Sequence, residues 1–215
     1  MSRAEKLTKF LVNLRSDVYL PTFDHIQWVT DQNQLTALML FELTTKFEWE
    51  GKKVLEVGFG EGFMLEQFRE RLALPVGIGL DENNHQICLG KGLDVHLADQ
   101  SFMEFPDNEF DLLWSQHVLE HSLFPFFTLH EYKRVMKPGA IAYVELPGPD
   151  NDIDENYLDD LNHYCVMTKN MWLSLMRRAG FRIIDSARLE LWPIQEKERR
   201  ASICQYSIIL KKEEK

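Results

Sequence analysis

From Lys53 onward, short apolar runs alternate with apolar positions at helical spacing, and that alternation predicts the fold. KVLEV (53–57) reads as a short buried strand, closed by the glycine-rich GFGEG (58–62). Met64, Leu65, Phe68 and Leu72 then recur at helical spacing. PVGIGL (75–80) and DVHLA (94–98) read as the second and third strands, ended by Asp81 and Asp99, with a short helix over 83–90 between them. FDLLWS (110–115) is the fourth strand. Residues 117–136 read as mostly helical with a break near Pro125, and Phe126, Leu129, Tyr132 and Met136 as lining one face. Lys137-Pro138-Gly139 reads as a turn into a fifth strand, AIAYVEL (140–146). Thr168 is the candidate N-cap of a helix with the buried stripe Trp172, Leu175, Met176 and Ala179, stopped by Gly180. FRIIDSARLEL (181–191) and ICQYSIILK (203–211) have no helical pattern between them, so they are expected to pair antiparallel.

Repeated β-α units followed by such a pair predict an α/β class: a doubly wound, mostly parallel sheet with helices on both faces. Such sheets bind ligands beyond the C-terminal ends of their strands, where strand order reverses. The residues to inspect are therefore 58–62, Asp81, Asp99, 115–117 and those from Pro147 onward. Residues 1–51 read as a helical N-terminal extension, and 52–215 as the ligand-binding domain. Within the extension, Asp31 and Gln34 resemble a capping box for a helix reaching about Phe47, ended by Glu50 and Gly51.

The glycine loop has the spacing GxGxG. A dinucleotide fingerprint needs a glycine where Phe63 stands, and no Lys-Ser/Thr follows, so neither a dinucleotide site nor a P-loop is formed. Asp81 can accept hydrogen bonds from a ribose diol, and Asp99 from an exocyclic amine. One acid at a strand tip is commonly a helix cap. Two at successive tips beside a glycine loop describe a nucleoside cradle without a phosphate site.

VLEVGFGEG (54–62), GLDEN (79–83), DQSFMEFPDNEFDLLWSQHVLEH (99–121), EYKRVMKPGAIAYVELP (131–147) and LMRRAGF (175–181) together resemble the class I S-adenosylmethionine-dependent methyltransferases, in the group acting mostly on small molecules. The resemblance covers about residues 52–211. It implies a seven-stranded sheet of order 3-2-1-4-5-7-6 with the last strand antiparallel, S-adenosylmethionine as cofactor, and S-adenosylhomocysteine as product. It also implies roles. Glu56 positions the loop and the cofactor amine, the backbone of Gly58 and Gly60 approaches the methionine moiety, and Gly62 opens the first helix. Asp81 takes the ribose hydroxyls. Asp99 faces the adenine amine, with Gln100 and Ser101 flanking the ring. Ser115, Gln116 and His117 lie beside the sulfonium, and Phe59 and Glu82 complete the cofactor-binding set. Ala98 stands where relatives often have glycine.

His117-Val118-Leu119-Glu120-His121 also matches the HxxEH pattern of inverted zinc peptidases. On a helix His117 and His121 would share a face. The same letters follow the fourth strand of methyltransferases without a metal, so no metal is expected here. Methyl transfer from a sulfonium asks mainly for alignment of acceptor, methyl and sulfur. An oxygen or protonated nitrogen acceptor also needs a base, for which a histidine is suited. His117 and His163 are the candidate catalytic residues, with His121 a third candidate base.

The chain carries 24 Lys+Arg against 34 Asp+Glu, a formal net charge of −10. That disfavours tracking of nucleic-acid phosphates and binding to anionic membranes. After the fourth strand SQHV replaces the Asn/Asp-Pro-Pro-aromatic signature of amino-methylating DNA enzymes, so the expected partner is a small-molecule acceptor, with a homodimer allowed. Asp150, Asp152, Asp154, Glu155, Asp159 and Asp160 put much of the acidity on the presumed acceptor side. The EF-hand pattern that this stretch begins fails at Glu155 and Leu161. Tyr19, Phe23, His25 and Trp28 belong to a segment that, by the same resemblance, folds over the cofactor as a lid, or else form the core of the N-terminal extension. Cys88, Cys165 and Cys204 imply no disulfide framework, and no apolar run reaches membrane-spanning length. A cytoplasmic protein is expected.

Overall fold

A computed structural model describes residues 47–149, 163–191 and 203–214. The expected helix ahead of Phe47, the lid segment and the acidic stretch 150–160 lie outside the described residues, and Phe47 itself is not helical.

Seven strands form one sheet in the order β3-β2-β1-β4-β5-β7-β6. β1 (Lys53–Val57) pairs in parallel with β2 (Leu74–Gly79) on one side and β4 (Phe110–Gln116) on the other. β3 (Val95–Leu97) extends the sheet beyond β2, and β5 (Met136–Pro147) lies beside β4, both in parallel. β7 (Ile203–Lys212) runs antiparallel between β5 and β6 (Phe181–Leu191). The chain order reverses between β1 and β4, which opens a crevice at their C-terminal ends.

Among the described residues the α-helices are α1 (Phe63–Glu70), α2 (Glu82–Gly90), α3 (Pro125–Val135) and α4 (Lys169–Arg178). Each has a local cause. Pro125 sits in the first turn of α3, where its missing N–H costs nothing. The Thr168 hydroxyl accepts from the Met171 N–H and caps α4. Gly180 then takes φ +86°, which ends α4 and turns the chain into β6.

The core follows the sheet. Leu55, Leu113, Ala142, Val144, Ile208 and Leu210 from four adjacent strands are buried against Leu129, Tyr132, Trp172 and Met176. The Trp114 and Tyr143 rings stack at 4.0 Å between centroids, Phe68 meets Trp114 edge-on, and Trp49 stacks on Phe68. A second cluster, Phe59, Leu65, Cys88, Leu93 and Val95, lies beside the glycine loop.

Two sequence expectations change here. The stretch 117–124 is not an α-helix: a 3-10 turn spans Leu119–His121, preceded by His117 at φ +52°. α3 starts only at Pro125, and Phe126 is an exposed residue rather than part of the buried face. Lys137-Pro138-Gly139 is not a turn ahead of β5 but a bulge within it. Phe110 pairs with Met136 and Leu112 with Ile141, so the extra residues are absorbed in mid-strand, with Gly139 at φ +79°. Among the described residues, no helix is long and apolar enough to cross a membrane.

Candidate cofactor and acceptor site

β1 delivers Glu56 and the glycine loop to the crevice. Glu56 is 5% exposed. Its carboxyl group accepts the backbone N–H of Leu65, one of the first donors of α1, which no helical carbonyl can satisfy. The other oxygen, Oε2, is buried with no hydrogen-bond partner. Burial pushes the Glu56 carboxyl well above the usual range, and the Leu65 N–H offsets only part of that. A buried acceptor in this state fits an ammonium group of a ligand.

The loop itself is tight. The Gly62 N–H donates to the Phe59 carbonyl, and the Gly58 N–H to the Ile78 carbonyl of β2. Gly58 and Gly60 take φ +80° and +47°. A Cβ on Gly58 would collide with Val118, whereas one on Gly60 would meet nothing within 4 Å, so the loop presents an open backbone face at Gly60. The Phe59 side chain points the other way. It is buried over β2, where a Cβ on Gly77 would stand 2.9 Å from it. Only the backbone of Phe59 is left for a ligand.

Asp81 and Asp99 stand at the C-terminal ends of β2 and β3. Oδ1 of Asp81 caps α2, accepting the Asn84 N–H at 2.7 Å. Oδ1 of Asp99 accepts the Ser101 N–H at 2.8 Å. In each case that bond engages one oxygen of the carboxylate and holds the group in place. Glu82 is exposed in the first turn of α2.

Gln100, Ser101 and Ser115 instead build the frame. The Gln100 amide donates to the Val118 carbonyl at 2.8 Å and accepts from the Tyr132 hydroxyl at 2.7 Å. That hydroxyl lies 3.0 Å from the Ser115 Oγ. The Ser101 and Ser122 hydroxyls both meet Thr128, at 2.7 and 2.6 Å. These buried bonds tie the segments after β3 and β4 to α3.

His117 follows β4. Its N–H donates to the Glu145 carbonyl, and the Nε2 atom lies 3.1 Å from Oε1 of Glu145. The Nδ1 atom lies 3.4 Å from Oε1 of Glu120. Burial works against a charge on this ring, but the two carboxylates outweigh it and raise the pKa to about 10. Burial likewise raises Glu145, yet the His117, Tyr143 and Gln116 bonds hold its carboxyl below the usual range. His117 is therefore a charged link between the ends of β4 and β5, and not a ring poised near neutrality to take a proton. It does not share a face with His121, whose ring meets His163 at 4.9 Å between centroids. The bond from the Cys165 N–H to the Glu120 carbonyl docks the His163 segment on the 3-10 turn.

Tyr132, Val118, Tyr143 and Glu145 were not assigned to the site from the sequence. Glu145 had a visible signal: it is the one acid inside the apolar strand AIAYVEL. The partnership of Tyr132 with Gln100 had none, because 32 positions separate them.

A sequence profile described as a methyltransferase domain matches residues 30–186. The chain belongs to the methyltransferase domain family. The cycloartenol-C-24-methyltransferase of Arabidopsis thaliana is 35% identical over 156 residues, covering 62% of this chain and 46% of that protein. The ubiquinone biosynthesis O-methyltransferase of Pseudomonas aeruginosa is 31% identical over 102 residues, covering 44% of each chain. The matched stretch is thus less than half the length of either relative. A crystal structure of an S-adenosylmethionine-dependent methyltransferase from Archaeoglobus fulgidus shares the fold, with a TM-score of 0.67 and 22% identity over 84% of this chain and 94% of that one. The family's cofactor is S-adenosylmethionine. The residues fit it. The unpartnered Glu56 oxygen suits its ammonium group, and the open face at Gly60 leaves room for its methionine backbone.

Proposed function

We propose that this chain catalyses transfer of the S-adenosylmethionine methyl group to a small-molecule acceptor, at oxygen or nitrogen. The observation that carries the reading is Glu56: a buried carboxyl with one unpartnered oxygen under an open glycine loop, where strand order reverses. The bound cofactor supplies a methyl group already activated by a sulfonium. The chain's part is to hold and align. Glu56 binds the ammonium group, Asp81 the ribose hydroxyls and Asp99 the adenine amine. The Gly58 and Gly60 backbone leaves space for the methionine chain. The frame of Gln100, Tyr132 and Ser115 keeps the segments after β3 and β4 from spreading. His163 stands beside His121 after the acidic stretch and is the group offered to take a proton from the acceptor.

The relatives' names span a sterol carbon and an oxygen of ubiquinone biosynthesis, which supports an apolar ring compound as the first acceptor class to assay. Isothermal calorimetry with S-adenosylmethionine, followed by S-adenosylhomocysteine release over a panel of phenols, sterols, fatty acids and amines, tests the reading. Binding with turnover on one class is expected. Binding with no turnover across the panel would favour a non-catalytic binding module, and absence of binding would overturn both.

A further inference from the structure

We propose that Glu120, His121 and His163 form a binding site for a first-row divalent cation such as Zn²⁺. It uses a different set of ligands from the HxxEH peptidase pattern. Two observations carry it independently. First, one ligand atom from each of the three residues lies within 4.8 Å of the others. Ligands bonded at about 2.1 Å around a tetrahedral ion stand about 3.4 Å apart. Side-chain shifts of about 1–2 Å at the half-buried His121 and His163 would close that gap. Second, Glu120 is fully buried and neither of its carboxylate oxygens has a hydrogen bond.

Glu120 has a poor share of the polar partners around it. The His117 ring lies between two buried carboxylates, and one ring supplies at most one positive charge for the two. Glu145 holds the better share. It receives His117 Nε2 at 3.1 Å, the Tyr143 hydroxyl at 2.5 Å and the Gln116 amide at 3.3 Å. Glu120 keeps only the 3.4 Å ion pair. A buried carboxyl group with so few polar partners is costly unless a ligand such as a metal ion satisfies it.

Two imidazoles and one carboxylate select borderline first-row ions over Mg²⁺ or Ca²⁺, which prefer all-oxygen shells. The 3-10 turn makes this set available. Had 117–121 been α-helical, His117 and His121 would have shared a face; instead His117 turns to Glu145 and His121 turns to His163. With the metal bound, His163 would be a ligand rather than the base, and coordination positions beyond the three ligands would be open to water or to an acceptor oxygen whose hydroxyl the ion would acidify. That use rests on the methyltransferase reading, whereas metal binding does not.

Metal-free protein, prepared with a chelator, is titrated with Co²⁺ and followed by visible absorption, then competed with Zn²⁺, in the absence of S-adenosylmethionine. One equivalent with ligand-field bands is expected. His163→Ala and His163→Gln, checked for folding by circular dichroism, should each weaken Zn²⁺ binding by more than about 100-fold. If alanine prevents folding, the glutamine variant gives the reading. A wild-type chain with no saturable Co²⁺ or Zn²⁺ binding overturns the proposal, and so does a folded His163 variant with unchanged affinity. Binding of S-adenosylmethionine by a chain that binds no metal would leave the cofactor reading standing and this one refuted.

Discussion

A Cβ placed on Gly58 would stand 2.3 Å from Cγ2 of Val118, so the loop after β1 and the segment after β4 touch across the point where strand order reverses. Gly58 and Gly60 of this loop should therefore fail differently. Gly58→Ala meets both a positive φ and a side chain packed against the core, and should cost about 2–4 kcal/mol of stability. Gly60→Ala meets only the backbone strain, about 1 kcal/mol, because nothing lies within 4 Å. Its methyl group would occupy the open face assigned to the cofactor. Thermal melts should rank Gly58→Ala far below Gly60→Ala, while calorimetry should show Gly60→Ala binding S-adenosylmethionine at least about tenfold more weakly, a loss of about 1.4 kcal/mol. A Gly60→Ala chain with wild-type affinity would remove the loop from the cofactor site.

Glu56 couples binding to protons. Burial holds its carboxyl above the usual range in the free protein, while in the unfolded chain it titrates normally. A raised acid contributes stability that is fully present below the unfolded pKa and is lost as pH rises through the folded one. The free protein should thus lose stability from Glu56 as pH climbs above about 4.3, and Glu56→Gln should flatten that slope. An ammonium ligand reverses the preference by favouring the carboxylate. Cofactor binding should therefore release a proton at pH values where free Glu56 is protonated, and calorimetry in buffers of different ionisation enthalpy would measure it. Glu56→Gln should abolish the release and weaken binding about 10- to 100-fold, from loss of a charge-assisted bond worth about 1.5–3 kcal/mol.

The strands and the acids at their tips were legible because they rest on local signals, whereas strand order and cofactor were implied by the resemblance to the methyltransferases. Apolar runs such as FDLLWS mark buried parallel strands, and Asp81 and Asp99 mark where two of them end. What the sequence hid were relations between distant positions. HVLEH has helical periodicity, but His117 takes a left-handed backbone so that its ring can reach Glu145, and that partner 28 positions away overrides the local preference. Lys137-Pro138-Gly139 has turn chemistry, yet pairing on both sides keeps the chain in the sheet and turns it into a bulge. Ser101 and Ser115 were read as ligand contacts from the resemblance, and Ser115 also from its place at the end of a strand. Their hydroxyls also meet Thr128 and Tyr132, on a helix whose packing angle no local pattern encodes.

Tyr132 offers a test of that frame. Its buried hydroxyl donates to Gln100 at 2.7 Å and lies 3.0 Å from Ser115. Tyr132→Phe keeps the ring in place and strands both partners, at about 1–3 kcal/mol. For a chain of this size that is a drop of roughly 2–10 °C in Tm. Gln100 also holds the Val118 carbonyl, so the loosened segment should weaken S-adenosylmethionine binding several-fold although Tyr132 is not assigned a cofactor contact. Lower Tm with unchanged affinity would show that the frame serves stability alone.

The His117–Glu145 pair sets the last expectation. Both side chains are nearly sealed from water, and the pair joins the residue after β4 to β5. Removing one member of a buried ion pair strands the other, at about 3–5 kcal/mol. His117→Gln should pay that penalty, because it leaves Glu145 and Glu120 buried with no cation from this ring. Once Glu145 is neutral, less charge remains to be stranded. His117→Gln should therefore cost much less in a Glu145→Gln background than in the wild type. Chemical denaturation of the two single variants and the double variant gives the coupling directly, expected at about 2 kcal/mol or more for contacting residues. If the two single losses simply add, the 3.1 Å contact contributes no net stability, and the left-handed backbone at His117 must be held by the β4–β5 pairing alone.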